Sequence, residues 1–345
     1  MVRRILLAGL ALGPAVVALH LLTGIGDTLL FVLSAIALIP LAWLIGEATE
    51  HAAEHTGPGI GGFLNATFGN APELIIALFA VHEGLQDVVR GSLVGSVIGN
   101  LLLVLGFSLL FGGEGRLDRW SSFSSFGLVA LAIALFLIPS IPNWSSSPDF
   151  HRVERLSVVI SVVLLVVYVV TTLYSLRRHH VTHVSSDEEV KGWSFRASLA
   201  ALGVATVVTA FVAQMLVGSL EVFANRVGLS DFFVAVVIVA IVGNAAEHGG
   251  AVVVAYHGKL KLAAEIALSS SAQVAVFLIP AVMLLSLAFG PLDLGFRQVE
   301  VGALALSLGI VMVAIGGGVS SRRRGALLVV AYIGVAVMFF VAGDG

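Results

Sequence analysis

The chain has 345 residues, 58% of them apolar and only 11% charged, with a mean hydropathy of +1.05. A soluble domain carries about 25% charged residues, so this surface is not built to face water and calls for lipid instead. A net charge of −3 gives no footing for nucleic acid, and zero cysteines exclude disulfides, thiolate metal sites and cysteine nucleophiles.

Arg3 and Arg4 precede an apolar run from Ile5 to Leu22, with no convincing small-residue cleavage site after it, so it reads as a retained first span. A bilayer core takes about 20 mainly apolar residues per helix. Windows of that size recur near 28–50, 60–82, 88–111, 123–140, 154–176, 197–219, 229–256, 260–289, 297–317 and 325–342. They are apolar all round, without the alternation of a membrane barrel. The predicted fold is an all-α polytopic membrane protein of about 11 transmembrane helices.

The second span ends on Glu47, Glu50 and His51-Ala-Ala-Glu54-His55. The H-x-x-E-H spacing puts both histidines on one helix face, as in some zinc peptidases, but no third ligand accompanies it. Glu47 and Glu50, with Glu221 as the counterpart of Glu47, are candidates for a polar cytoplasmic mouth that funnels cations; the alternative is a plain solvated helix end. Residues 178–194 form the longest polar stretch, where His179, His180, His183, Asp187, Glu188 and Glu189 either sense cations or pH or simply meet water.

Loop charges set the orientation. With the N-terminus in the cytoplasm, that side holds 13 of the 18 Lys and Arg residues: Arg3, Arg4, Arg116, Arg119, Arg177, Arg178, Lys191, Arg196, Lys259, Lys261 and Arg322 to Arg324. Arg90, Arg152, Arg155, Arg226 and Arg297 fall on the far side, with the C-terminus. One helix more or fewer would destroy this bias.

The chain also repeats itself. Residues 69–84 read GNAPELIIALFAVHEG and residues 243–258 read GNAAEHGGAVVVAYHG, an offset of 174. The same offset lays Ser96 on Ser270 and Glu47 on Glu221. The implied division is an N-terminal helix at 1–25, five helices in 26–177, a polar cytoplasmic linker at 178–194 and five helices in 195–345. An odd number of spans inverts the second copy. Inverted repeats are a mark of secondary transporters, with binding at the midplane.

Gly-Asn-Ala-x-Glu stands in the middle of an apolar span in each copy. Gly69, Gly243 and Pro72 weaken the helix there, and freed carbonyls must be satisfied by protein, water or an ion. A carboxylate at the bilayer centre costs about 2.5–3.5 kcal/mol or more, and neither span offers Glu73 or Glu247 a Lys or Arg. Two carboxylates flanked by the amides of Asn70 and Asn244 make an oxygen-only site. It suits a hard cation such as Ca²⁺, which takes 6–8 oxygens, and it suits protons; competition of the two for the same oxygens is the physical basis of antiport. Asn100, Ser96, Ser270 and Gln273 on the paired helices add oxygens or hold the glutamates. Serines and glycines at such positions also serve plain helix packing.

On these residues the chain resembles the calcium/proton exchanger (CAX) family of the cation/calcium exchanger superfamily. GNAPELIIALFA with GSVIGNLLLVLG, and GNAAEH with SSSAQVAVFLIPA, are similar to its two α-repeats, over a stretch from about Gly46 to the C-terminus. The resemblance implies one helix plus two inverted sets of five, with Glu73 and Glu247 binding the transported cation, helped by Asn70, Asn244, Asn100, Ser270 and Gln273. Pro72 departs from it, since Thr or Val is usual there and sodium/calcium exchangers carry Pro. The expected function is exchange of cytoplasmic Ca²⁺ for protons by alternating access, with Ca²⁺ and H⁺ as transported ligands, the bilayer as surroundings, and no cofactor or catalytic residue. The alternatives are an Na⁺- or K⁺-coupled exchanger on the same scaffold, a passive cation channel, and a peptidase built on HAAEH. A compact chain of this kind points to a prokaryotic inner membrane.

Overall fold

The computed structural model describes residues 2–56, 61, 64–65, 67–179, 192–290 and 292–343. Most of the predicted linker, with His180, His183, Asp187, Glu188 and Glu189, lies outside the described residues. The chain is all-α. In order come α1 (Val2–Gly9), α2 (Leu12–Thr23), α3 (Asp27–Glu54), α4 (Ala71–His82), α5 (Gln86–Gly112), α6 (Arg119–Asn143) and α7 (Phe150–His179). There follow α8 (Phe195–Gly218), α9 (Leu220–Val227), α10 (Asp231–Gly243), α11 (Ala245–Tyr256), α12 (Leu260–Ser286), α13 (Gln298–Ile315) and α14 (Arg322–Ala342).

Among the described residues nine helices are long and apolar enough to cross a bilayer, or ten if α9 and α10 count as one bent span. Of the about 11 spans read from the sequence, the third and eighth are interrupted where Gly69, Gly243 and Pro72 are expected to weaken the helix. The chain breaks at Asn70 and again at Asn244, so each of these spans is assembled from pieces. The eighth is also preceded by α9, set at 108° to α10. Gly228, in the left-handed region at φ 72°, ends α9 and lets the chain turn. The first span bends at Leu10 and Ala11 but runs on as one crossing.

Connections sort cleanly onto two faces. On the linker face, β1 (Gly115–Arg116) pairs antiparallel with β2 (Val319–Ser320), Arg3 bridges to Glu47 at 2.7 Å, and Lys261 bridges to Asp118 at 2.9 Å. The Lys261 ammonium, with the amides of Ser121 and Trp120, holds the Asp118 carboxyl below its usual range. On the opposite face, the Asn143 amide donates to the Gly295 carbonyl at 2.7 Å and the Trp144 indole to Phe296 at 2.8 Å. Sequence offset relates these two sets of ties: loops after α5 and α12 are each pinned to the segment that leads into the last span of the other half.

The opposite face also buries a charge cluster. Glu300 is fully buried and pairs with Arg297 at 2.7 Å, while Arg90 pairs with Asp87 and lies 3.8 Å from Asp293. Arg297 sits over the Phe232 ring and donates to the Gly343 carbonyl, so α5, α10, α13 and α14 meet around it.

Close packing through small residues sets the centre. A Cβ on Gly91 would lie 3.0 Å from the Phe232 carbonyl, and one on Gly95 would collide with the Val236 carbonyl. Gly91, Gly95 and Gly99 recur every four residues on the face of α5 that meets α10 and α11. Gly95→Ala should therefore destabilise the protein by about 1–3 kcal/mol, because backbone cannot yield as a side chain can. Thermal unfolding in detergent measures this; an unchanged midpoint would mean that the two helices are free to move apart.

Candidate functional site

Both breaks have one conformation. Asn70 has φ −95°, ψ 14° and Asn244 has φ −89°, ψ 8°, in the bridge region between helix and strand. Neither asparagine side chain caps its own helix, and each amide reaches across the protein instead. Pro72 falls in the first turn of α4, where a missing N–H costs no hydrogen bond. It marks where the new helix starts. Glu73 and Glu247 each occupy the first turn of such a helix, whose dipole favours negative charge at that end.

The two glutamates are seated reciprocally. A Cβ on Gly243 would lie 3.2 Å from Glu73 Cγ and 3.7 Å from its Oε1, and one on Gly69 would lie 3.8 Å from Glu247 Oε1. Each carboxylate thus rests against the break of the other half. Only hydrogen at Gly243 leaves Glu73 its full space.

The asparagines tie the breaks to crossing helices. Asn244 Nδ2 donates to Ser96 Oγ at 2.7 Å and to the Ala240 carbonyl at 2.9 Å, while Asn100 Nδ2 donates to Asn244 Oδ1 at 3.4 Å. Asn70 Nδ2 donates to Gln273 Oε1 at 3.4 Å, and Ser270 is hydrogen-bonded to Glu247. Asn100 lies in a π-helical stretch of α5, Gly99–Val104, and Gln273 directly precedes the matching stretch of α12, Val274–Leu278. A π-turn carries one extra residue and re-aims the side chains around it.

So the structure gathers Glu73, Glu247, Asn70, Asn244, Gly69, Gly243, Asn100, Ser96, Ser270 and Gln273 into one cluster inside the helix bundle. The proposed mouth divides. Glu47 and Glu50 lie at the linker-face end of α3, with Glu47 paired to Arg3 and Glu50 exposed. Glu221 lies on α9, against the Asp27 end of α3, where Phe31 stacks on Phe223 with centroids 4.2 Å apart. The inverted repeat that matches Glu221 to Glu47 puts it on the other face, so it does not join them. His51 turns to Glu54 and the Trp193 ring, and His55 Nδ1 donates to the His51 carbonyl. No group of three or more His, Cys, Asp or Glu among the described residues is placed to hold a metal ion.

Two residues escaped the sequence reading. His248 stands beside Glu247, with its ring against Gly99 and its Nε2 shielded from water without a partner. Ser92 joins Ser96 and Glu73 around a small cavity with room for about one water-sized sphere. The last letter of GNAAEH and the four-residue step from Ser92 to Ser96 were the available signals.

Chemically, the cluster is an excess of acceptors. Glu73 Oε2, Glu247 Oε2 and Asn100 Oδ1 are shielded from water with no hydrogen-bond donor. Buried acceptors of this kind cost free energy until a proton or a cation reaches them.

The sodium/calcium exchanger protein family model matches residues 27–177 and 197–341. The Ca(2+)/H(+) antiporter of Synechocystis sp. is 35% identical, covering 98% of this chain and 97% of that protein. The Ca(2+)/H(+) antiporter ChaA of Bacillus subtilis is 37% identical over 91% of this chain and 93% of its own. The solved structure of native YfkE superposes with a TM-score of 0.85 at 33% identity, covering 97% of this chain and 99% of that one. With two Gly-Asn-Ala-x-Glu breaks at its centre and relatives matched along nearly its whole length, this chain belongs to the calcium/proton exchanger (CAX) family of the cation/calcium exchanger superfamily.

Proposed function

We propose that the chain is a Ca²⁺/H⁺ antiporter in which Glu73 and Glu247 form the shared cation and proton site. The observation that carries this reading is the pair of glutamate oxygens shielded without donors, one on each side of a doubly broken helix crossing. Two carboxylates with amide and hydroxyl oxygens of Asn70, Asn244, Asn100, Ser96, Ser270 and Gln273 supply the hard ligands that Ca²⁺ prefers. Protons bind the same carboxylates, so loading one ligand expels the other. The two halves, 26–177 and 195–345, act as inverted units around the site, with residues 1–25 outside them. The 13-to-5 charge bias supports a cytoplasmic N-terminus and linker face, and the bacterial relatives support a plasma membrane. Glu47 and Glu50 then mark the cytoplasmic mouth.

The test is ⁴⁵Ca²⁺ uptake into proteoliposomes with an imposed pH gradient, in buffer free of Na⁺ and K⁺. Uptake should saturate and should collapse when the gradient is dissipated. Uptake that appears only when Na⁺ or K⁺ is supplied would reassign the coupling ion, and unsaturable flux independent of a counter-ion would indicate a channel.

A further inference from the structure

On the face opposite the linker, a cavity of about 440 Å³ opens between the start of α3 and α9. Its size falls within the range of small-molecule sites. Its walls have two chemistries. Leu29, Val32 and Val222 are 53%, 38% and 46% exposed and turn apolar surface outward, at the depth where α3 enters the bilayer. Asp27 and Arg226 stand at the rim.

These two opposite charges line one cavity yet do not pair. Among the described residues neither takes part in an ion pair within 4.0 Å, in contrast to Arg90 and Arg297 on the same face. Thr28, in the same wall, has its hydroxyl shielded from water with no hydrogen-bond partner. A rim with one anion and one cation held apart, above an apolar wall open to lipid, is complementary to a zwitterion that carries a hydrocarbon tail.

We propose that this cavity binds a phospholipid with a primary-amine headgroup. Its ammonium meets Asp27, its phosphate meets Arg226, and an acyl chain lies along Leu29, Val32 and Val222. A primary ammonium donates hydrogen bonds to a carboxylate, which a choline headgroup cannot do. A guanidinium matches phosphate oxygens in a fork. The apolar wall selects the lipid over its free headgroup. Bound there, the lipid bridges α3 to α9, which share no salt bridge at this end among the described residues.

The experiment is native mass spectrometry of the whole purified protein in detergent, titrated with phosphatidylethanolamine, phosphatidylcholine or phosphatidylglycerol of identical chains, or with phosphoethanolamine alone. The wild type should retain one phosphatidylethanolamine in preference to the other two. Asp27→Asn and Arg226→Gln should each weaken that retention by about 10-fold, the effect of one charge-assisted contact. Val222→Glu, which spoils the acyl wall and leaves the rim intact, should do the same. Equal retention of the three lipids, or unchanged retention in all variants, overturns the proposal. Preference for phosphatidylglycerol lost only in Arg226→Gln assigns an anionic lipid and overturns it too, as does phosphoethanolamine binding as tightly as the lipid.

Discussion

Glu73→Gln should lower gradient-driven ⁴⁵Ca²⁺ uptake by at least about 100-fold, with the protein still folded. The substitution keeps the shape and removes the charge, so the reciprocal fit of Glu73 on Gly243 survives. One carboxylate oxygen becomes an amide N–H₂, which repels a cation and takes no proton. A loss of about 3 kcal/mol of cation binding corresponds to that factor. Glu247→Gln should have an effect of the same size, because the structure gives the two glutamates matching seats. Uptake at the wild-type rate in either purified variant would remove that residue from the cation site. Glu73→Asp separates charge from reach: it retains the carboxylate but withdraws it from Gly243, and should transport at an intermediate rate.

Arg90→Ala should destabilise the fold by about 3–5 kcal/mol, the range for breaking one partner out of a buried ionic cluster. Its guanidinium stands among Asp87, Asp293 and Glu300, and the last of these is fully buried. Removing it leaves carboxylates with only Arg297 to balance them. Glu300→Gln should be milder, because the amide still accepts from Arg297 and adds no net burial. The midpoint of thermal unfolding in detergent checks both. If Arg90→Ala melts with the wild type, the cluster is hydrated and is not a clamp between α5 and the segment leading into α13.

Hydropathy and loop charge made most of the fold legible, because lipid imposes a length and a polarity that composition records directly. They did not show α9. Its eight residues are too short to register beside a span, and Leu220 and Ala224, its buried pair, look like the end of the helix before. Windowed hydropathy also misses interruptions, so the third and eighth spans read as continuous although Asn70 and Asn244 break them. The break was announced by local chemistry instead: Gly, Asn and Pro gathered where a helix should not weaken. The repeat gave Glu73, Glu247, Asn70, Asn244, Ser96 and Ser270 of the central cluster, since a polar residue that recurs at one offset is rarely incidental. It did not give their wiring. Asn244 reaches Ser96 and Asn70 reaches Gln273, and these are not equivalent partners at an offset of 174. At that offset Gln273 falls on Gly99 and Asn100 on Val274, so each copy carries an amide where the other has no polar side chain. Glu221 failed for the converse reason. Matching by offset says which residues correspond, and inversion then places them on opposite faces.

The reciprocal seating of the glutamates bears on how the two halves communicate. Each acidic side chain belongs to one half by covalent bond and to the other by contact. Neutralising a carboxylate changes the surroundings of a helix break that is remote in the chain, 170 residues from Glu73 to Gly243 and 178 from Gly69 to Glu247, but lies directly against it in space. The two breaks are therefore in direct contact through these side chains. An event at one is felt at the other with equal strength, by the symmetry that linkage imposes on coupled equilibria. An arrangement of this kind needs no relay of intervening side chains, because sensor and lever are the same pair of atoms seen from either half.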